Sequence, residues 1–139
     1  MSLKILDTVT LSLLERKDLK VLRRLATVPP SELAVTVINV EEQMTGWQLY
    51  LRQARTDKEL AAAYEKLAAS VRVLAGMRIL SFPEAAIARY NLLRTMKLNV
   101  GKMDLRIAAI ALEAGATVIT RNLRDFERVP GLNCENWAD

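Results

Sequence analysis

Histidine is missing from all 139 residues of this chain, and cysteine occurs once, at Cys134. The first absence removes Ser-His-Asp and Cys-His nucleophile systems, ribonuclease chemistry with a histidine general base, and zinc sites with histidine ligands. The second rules out an internal disulfide and a cysteine-rich metal centre, and it suits a reducing cytoplasm. Aromatic residues, glycine and proline are all sparse, whereas 51% of the chain is apolar, the composition of an ordinary globular protein. The opening "MSLKILDTV" holds no apolar run of signal-peptide length, and "LAVTVINV" is far too short to span a bilayer. For hydrolysis near neutral pH, what remains is carboxylates working with a hard, oxygen-loving metal ion.

The length fits one domain, 1–139, large enough for a single core. The net charge of +4 is a weak pointer to an anionic partner. "LKILD" (3–7) reads as a buried strand. "TLSLLERKDLKVLRRLATV" has helical spacing, broken near Lys17-Asp18 and ended by Pro29-Pro30. "LAVTVIN" (33–39) is rich in β-branched residues and reads as a second strand, running into a helix that starts at "VEEQ". "DKELAAAYEKLAASVRVLAG" is a helix with Asp57 near its start and Gly76 at its end. "RILSF" (78–82) is a third strand, and Pro83 opens the helix after it. "MDLRIAAIALEAG" is a helix closed by Gly115, "ATVITR" (116–121) a fourth strand, and 132–137 a short fifth. Strands alternating with helices predict an α/β fold whose parallel sheet is covered on both faces.

In such sheets, ligands sit beyond the carboxyl ends of the strands, near the point where strand order reverses. Three places meet that rule: Asp7, the pair Glu41-Glu42, and the stretch from Thr120 to Asp125. Each has a plainer explanation. Asp7 makes a good N-cap for the next helix, and Glu41 and Glu42 sit where a first turn favours negative charge. Asn122 and Asp125, in "NLRD", have helix-start spacing. Asp104 opens an apolar helix as an ordinary first-turn acid, and its place at a site needs separate support. Arg121, Arg124 and Arg128 read as a solvated face, and Trp47 and Trp137 as packing residues. Gly101-Lys102 lacks the rest of a phosphate-binding loop. "DTVTL" has Val9 where a haloacid-dehalogenase-type phosphatase needs its second acid, and the acidic pair of a receiver domain is missing.

The segments "ILDTVTLSLL", "AVTVINVEEQMTGW" and "GKMDLRIAAIALEAGATVITRNLRDFERVPGLNCENW" resemble, in order and spacing, the PIN-domain ribonucleases, above all the VapC-type toxins of bacterial toxin–antitoxin pairs. The likeness runs from Leu3 to Trp137. It implies a three-layer α/β/α sandwich around a parallel sheet of four to five short strands. It also implies a metal-dependent endoribonuclease that cuts single-stranded regions of RNA. Carried over, Asp7, Glu42 and Asp104 are the catalytic acids and ligands of Mg²⁺ or Mn²⁺. Asn122 occupies the fourth position, Asp125 lies nearby, and Thr8, Thr36 and Thr120 match hydroxyl positions that line such sites. The implied partners are RNA, a cognate VapB-like antitoxin received in a groove of the early helices, and a second copy of the chain. Val9 departs from the family, which usually has Asn, Asp or His there, and Asn39 stands where Thr or Ser is frequent. Val9 supports the alternative, a degenerate PIN domain that binds RNA or protein without cutting.

Overall fold

The alternation of apolar runs and helical segments resolves, in a computed structural model that describes residues 3–139, into five short parallel strands joined by helices. In chain order these are β1 (Lys4–Leu6), α1 (Thr8–Glu15), α2 (Leu19–Leu25), β2 (Leu33–Thr36), α3 (Val37–Arg52) and α4 (Asp57–Ala75). They are followed by β3 (Arg78–Leu80), α5 (Glu84–Thr95), α6 (Lys102–Ala114), β4 (Thr117–Ile119), α7 (Leu123–Phe126) and β5 (Asn133–Glu135). The strands lie in the order β3-β2-β1-β4-β5, every neighbouring pair parallel. The chain therefore winds outward from β1 to β3, crosses back, and continues on the other side through β4. Strand order reverses between β1 and β4, which places a topological switch point at their carboxyl ends.

Period-two alternation along the three central strands β1, β2 and β4 feeds two cores. Ile5, Ala34 and Val118 point to one face, where α5 and α6 supply Tyr90, Leu93, Leu105, Ile107 and Ala108. Leu6, Leu33, Val35 and Ile119 point to the other, against Leu11 of α1, Leu74 of α4 and Trp137. The register agrees with this division, pairing Ile5 with Val118 and Leu6 with Ile119. Burial on both faces is what lets central strands of three or four residues persist. The expected three-layer α/β/α architecture is the one observed. Among the described residues, no helix is long and apolar enough to cross a membrane.

The helix break expected at Lys17-Asp18 is present: Lys17 adopts φ 61°, and the Asp18 carboxylate caps α2 through the amides of Lys20 and Val21. Gly115 closes α6 in the left-handed conformation at φ 62°, where a side chain would be strained. Trp137 packs in the core, as expected.

The second strand differs from expectation. It ends at Thr36, not Asn39, and residues 37–39 already form the first turn of α3. A reciprocal cap overrides the β propensity of "VTVIN". The Thr36 hydroxyl accepts from the Asn39 amide at 3.2 Å, and the Asn39 side chain accepts from the Thr36 amide at 2.7 Å. Two buried helix-end donors are thereby satisfied at once. Thr36→Val keeps the β-branched shape but removes that acceptor. It is expected to lower stability by about 1–2 kcal/mol, read as an earlier urea midpoint with an unchanged slope.

Candidate active site

The ends of β1 and β2 share one polar network. Asp7 follows β1, is only 5% exposed, and caps α1 by accepting from the Thr10 amide at 2.8 Å. Its own amide donates to the Ile119 carbonyl at 2.9 Å, and the Thr10 hydroxyl donates to the same carbonyl at 3.1 Å. The switch point is thus stitched on both sides of Asp7. The helix-cap explanation is correct for Oδ1, which leaves the second carboxylate oxygen outside the cap.

From β2 the network continues through Asn39. The Thr36 hydroxyl donates to Asn39 Oδ1 at 2.8 Å, Asn39 Nδ2 donates to Thr8 Oγ1 at 3.1 Å, and Thr8 Oγ1 donates to Glu42 Oε1 at 2.6 Å. A hydroxyl fixed as acceptor on one side must donate on the other, so this chain orients the Glu42 carboxylate. Because α3 begins at Val37, Glu41 and Glu42 lie in its second turn. The first-turn explanation for these acids is overturned, since the macrodipole falls off within one turn. Glu41 points to solvent while Glu42 is half-buried. Asn39 is fully buried and holds Thr8 in place; the sequence marked it only as a departure from the family, and the signal of its positioning role was the T-x-x-N spacing of its cap.

Asp104 is the third residue of α6, whose N-cap is Gly101 with no side-chain bond. Asp104 therefore does not cap its helix. Burial, and then the charges of Glu42, Asp7 and Asp125 in that order, raise its pKa from 3.8 to about 6. A helix N-terminus alone would lower it, so desolvation and like charge outweigh the macrodipole. Electrostatically, Asp7, Glu42 and Asp104 form one group with Asp125 at its margin.

The remaining candidates divide. Thr8 touches Glu42 directly, whereas Thr36 acts one residue removed, through Asn39. Thr120 is buried and accepts from the Asn122 amide at 2.8 Å. Asn122 stands at the N-cap position of α7 but makes no side-chain cap. Its side-chain amide instead donates to Asp125 Oδ2 at 2.7 Å, so the pair stands at a helix start as expected but bonds within itself and does not cap the backbone. Asp125 also accepts from Arg128 at 3.1 Å, so Arg128 is not merely solvated. Val9 is 54% exposed on α1. Burial and Glu127 hold the Cys134 thiol up to about 11, too high for a thiolate nucleophile near neutrality.

The acids supply only oxygen donors, the chemistry of Mg²⁺ or Mn²⁺ rather than of zinc. Among the described residues, no three metal-ligating side chains close into a ready-made cage. Asp7, Glu42 and Asp104, expected to lie close enough to share one divalent ion directly or through its waters, do not form three direct ligands. A small hard cation sheds its waters reluctantly and needs few carboxylates, so contact through waters is the arrangement these acids would use. Beside Glu42 a cavity of about 550 Å³ opens between α1, α3 and α4, lined by Glu15, Trp47, Tyr50, Lys66 and Val73 among others.

The PIN domain family model matches residues 4–132. The chain is 37% identical over 68 residues to a Ribonuclease VapC2 of Rickettsia felis, a stretch covering 46% of this chain and 51% of that protein. It is 49% identical over 39 residues to a tRNA(fMet)-specific endonuclease VapC of Salmonella typhimurium, covering 28% of this chain and 30% of that one. The chain thus matches about half the length, or less, of these curated relatives. Among solved structures, DNA-bound VapBC from Salmonella typhimurium superposes with a TM-score of 0.82 at 25% identity, over 99% of both chains. VapBC2 from Rickettsia felis, bound to a promoter DNA fragment, does so with 0.78 at 25% identity, over 97% and 98%.

The raised pKa has a signed consequence. Between about pH 4 and 6 the folded chain keeps a proton on Asp104 that the unfolded chain releases, so stability falls as pH rises through that window. Asp104→Asn is expected to remove this slope. In metal-free buffer its melting temperature should exceed the parent's at pH 7.5, and the difference should close by about pH 4.

Proposed function

The chain belongs to the PIN-domain family, and from that membership we propose that it is a metal-dependent endoribonuclease, the toxin of a toxin–antitoxin pair. It hydrolyses phosphodiester bonds in single-stranded regions of RNA, using Asp7, Glu42 and Asp104 with Mg²⁺ or Mn²⁺. The arrangement that carries this reading is the meeting of buried Asp7 and hydrogen-bonded Glu42, at the ends of β1 and β2, with Asp104, whose pKa is pushed up by burial and by their charges. Carboxylates gathered at the switch point of a parallel sheet, one of them buried and perturbed, have the signature of a functional cluster. The names of the relatives, a ribonuclease and a tRNA-specific endonuclease, support the same reaction class.

When bound, the cation supplies neutralisation of the acids and polarisation of a phosphate oxygen. The chain's own residues do the positioning. The Asp7 backbone is locked by its cap and by Ile119, and Glu42 is aimed by Thr8 and, through it, Asn39. With no histidine in the chain, orientation of the attacking water falls to a carboxylate. The antitoxin segment takes the cavity beside Glu42, where the Trp47 and Tyr50 rings lie near Glu15 and Lys66. An amphipathic segment seated there would reach the acids. Exposed Ile79 on the edge strand β3, with Ile87, Leu92 and Met96 on or just after α5, offers surface for pairing two copies. The place of action is the cytoplasm.

A non-cutting binding module is the second reading, favoured by Val9 alone, whose half-exposed apolar side chain brings no hydrogen bond near Asp7. Cleavage of total RNA on gels separates the two. The parent is expected to cut with Mg²⁺ or Mn²⁺ and to stop on chelation. Asp104→Asn is expected to lose cleavage while its circular dichroism stays the same. Thr8→Val, which frees Glu42 from its hydroxyl donor, is expected to reduce activity about 10–100-fold, and Val9→Asn to raise it. Loss of cutting in both the parent and Val9→Asn, with every divalent metal tried, would favour the binding module. Light scattering at high concentration is expected to give the mass of a dimer.

A further inference from the structure

A second cavity, of about 420 Å³, lies between the end of α5 and the start of α6. Its walls carry four cations, Arg94, Lys97, Lys102 and Arg106, around Tyr90. None of the four takes part in an ion pair among the described residues. The guanidinium of Arg106 lies 5.2 Å from the Tyr90 ring centroid and that of Arg94 5.6 Å, so two positive groups share one ring. Arg106 Nε is buried without a hydrogen-bond partner, alone in this among the side chains of the described residues. Buried donors are nearly always satisfied, and an exception needs an explanation.

Unpaired like charges gathered around one cavity repel, and a buried guanidinium donor is left wanting an acceptor. An anion with several acceptor oxygens relieves the repulsion, and a phosphate matches the outer N–H groups of an arginine fork, while Arg106 Nε stays enclosed against the Phe82 and Tyr90 rings. The cavity also has a physical link to the acids. Arg128 donates to the Asn99 carbonyl in its wall at 2.8 Å and to Asp125 at 3.1 Å. Lys102 and Arg106 flank Asp104 on the same helix. Lys102, Leu105 and Arg106 share the face that lines the cavity, while Asp104 turns away from them.

The geometry points to a phosphate-docking subsite for RNA in this cavity, an inference that rests on the ribonuclease reading above. A cluster of acids repels a polyanion, so the strand must be held by positive charge placed beside the cluster rather than within it. A single-stranded chain crossing the first turn of α6 reaches both. One backbone phosphate enters the Arg94–Lys97–Lys102–Arg106 cavity while a neighbouring phosphate meets the acids.

The test uses the 139-residue Asp104→Asn chain and a labelled single-stranded RNA oligonucleotide, with affinity read by fluorescence anisotropy across a salt series. Adding Arg94→Gln and Lys102→Gln, both at exposed positions, is expected to weaken binding at least tenfold. It should also flatten the log-log salt dependence by about 0.7 for each phosphate that is no longer neutralised. The matched control, Lys20→Gln with Arg23→Gln on α2, is expected to change little. Equal weakening by both pairs, or none by the cavity pair, would overturn the subsite while leaving the ribonuclease reading intact. No RNA binding by the Asp104→Asn parent would remove both. Inorganic phosphate at matched ionic strength is expected to displace RNA from the parent more than from the cavity variant, because phosphate and RNA compete for the cavity. Phosphate binding that depends on Arg94 and Lys102 but leaves the RNA affinity of the parent unchanged would make the site one for free phosphate, and the inference fails.

Discussion

Burial of one carboxylate beside others at the end of a parallel sheet is the constraint around which this protein's polar end is arranged. Asp104 is half-buried opposite Glu42 and Asp7, and its proton is held up to about pH 6 as a result. A chain selected for stability alone would separate these charges or replace one of them. Instead, much of the local structure holds them in place. The α1 cap fixes Asp7, the reciprocal cap of α3 fixes Asn39, and Asn39 with Thr8 fixes Glu42. Gly101 leaves the start of α6 without a side-chain cap, so Asp104 is free of that duty.

That rigidity comes from packing further inside. The strands are only three or four residues long, yet each central one sends alternate side chains into two separate cores. Such a sheet cannot slip by one residue without moving every buried side chain to the wrong face. The level at which β1, β2 and β4 end is therefore fixed, and with it the spacing of Asp7, Thr36 and Thr120. Precision at the polar end of the sheet is inherited from the apolar middle.

Charge is also segregated around this platform. The acids gather at the carboxyl ends of the central strands, while unpaired cations cluster at the α5–α6 connection. The cavity beside Glu42 mixes aromatic, acidic and basic walls. A net charge of +4 reveals none of this by itself, because it averages over surfaces of opposite sign. For a protein proposed to act on RNA and to be held in check by another protein, the arrangement offers distinct faces for each partner.

Much of the fold was legible in the sequence because its signals are local. Alternating apolar runs, Gly115 at a helix end and Asp18 at a helix start each announce themselves within a few residues. The absence of histidine and the lone cysteine narrowed the chemistry to carboxylates before any folding was considered. What the sequence misjudged was also local, but in competition: β-branched "VTVIN" resembles a strand, and only the Thr36–Asn39 cap turns its second half into helix. That shift moved Glu42 out of the first turn and removed its simpler explanation. The Thr8–Glu42 bond spans 34 positions, and the charges on Asp104 come from three other segments of the chain. The same holds for the unpaired cations around Tyr90. Such encounters depend on register, burial and distance across the sheet, and these exist only once the chain has folded.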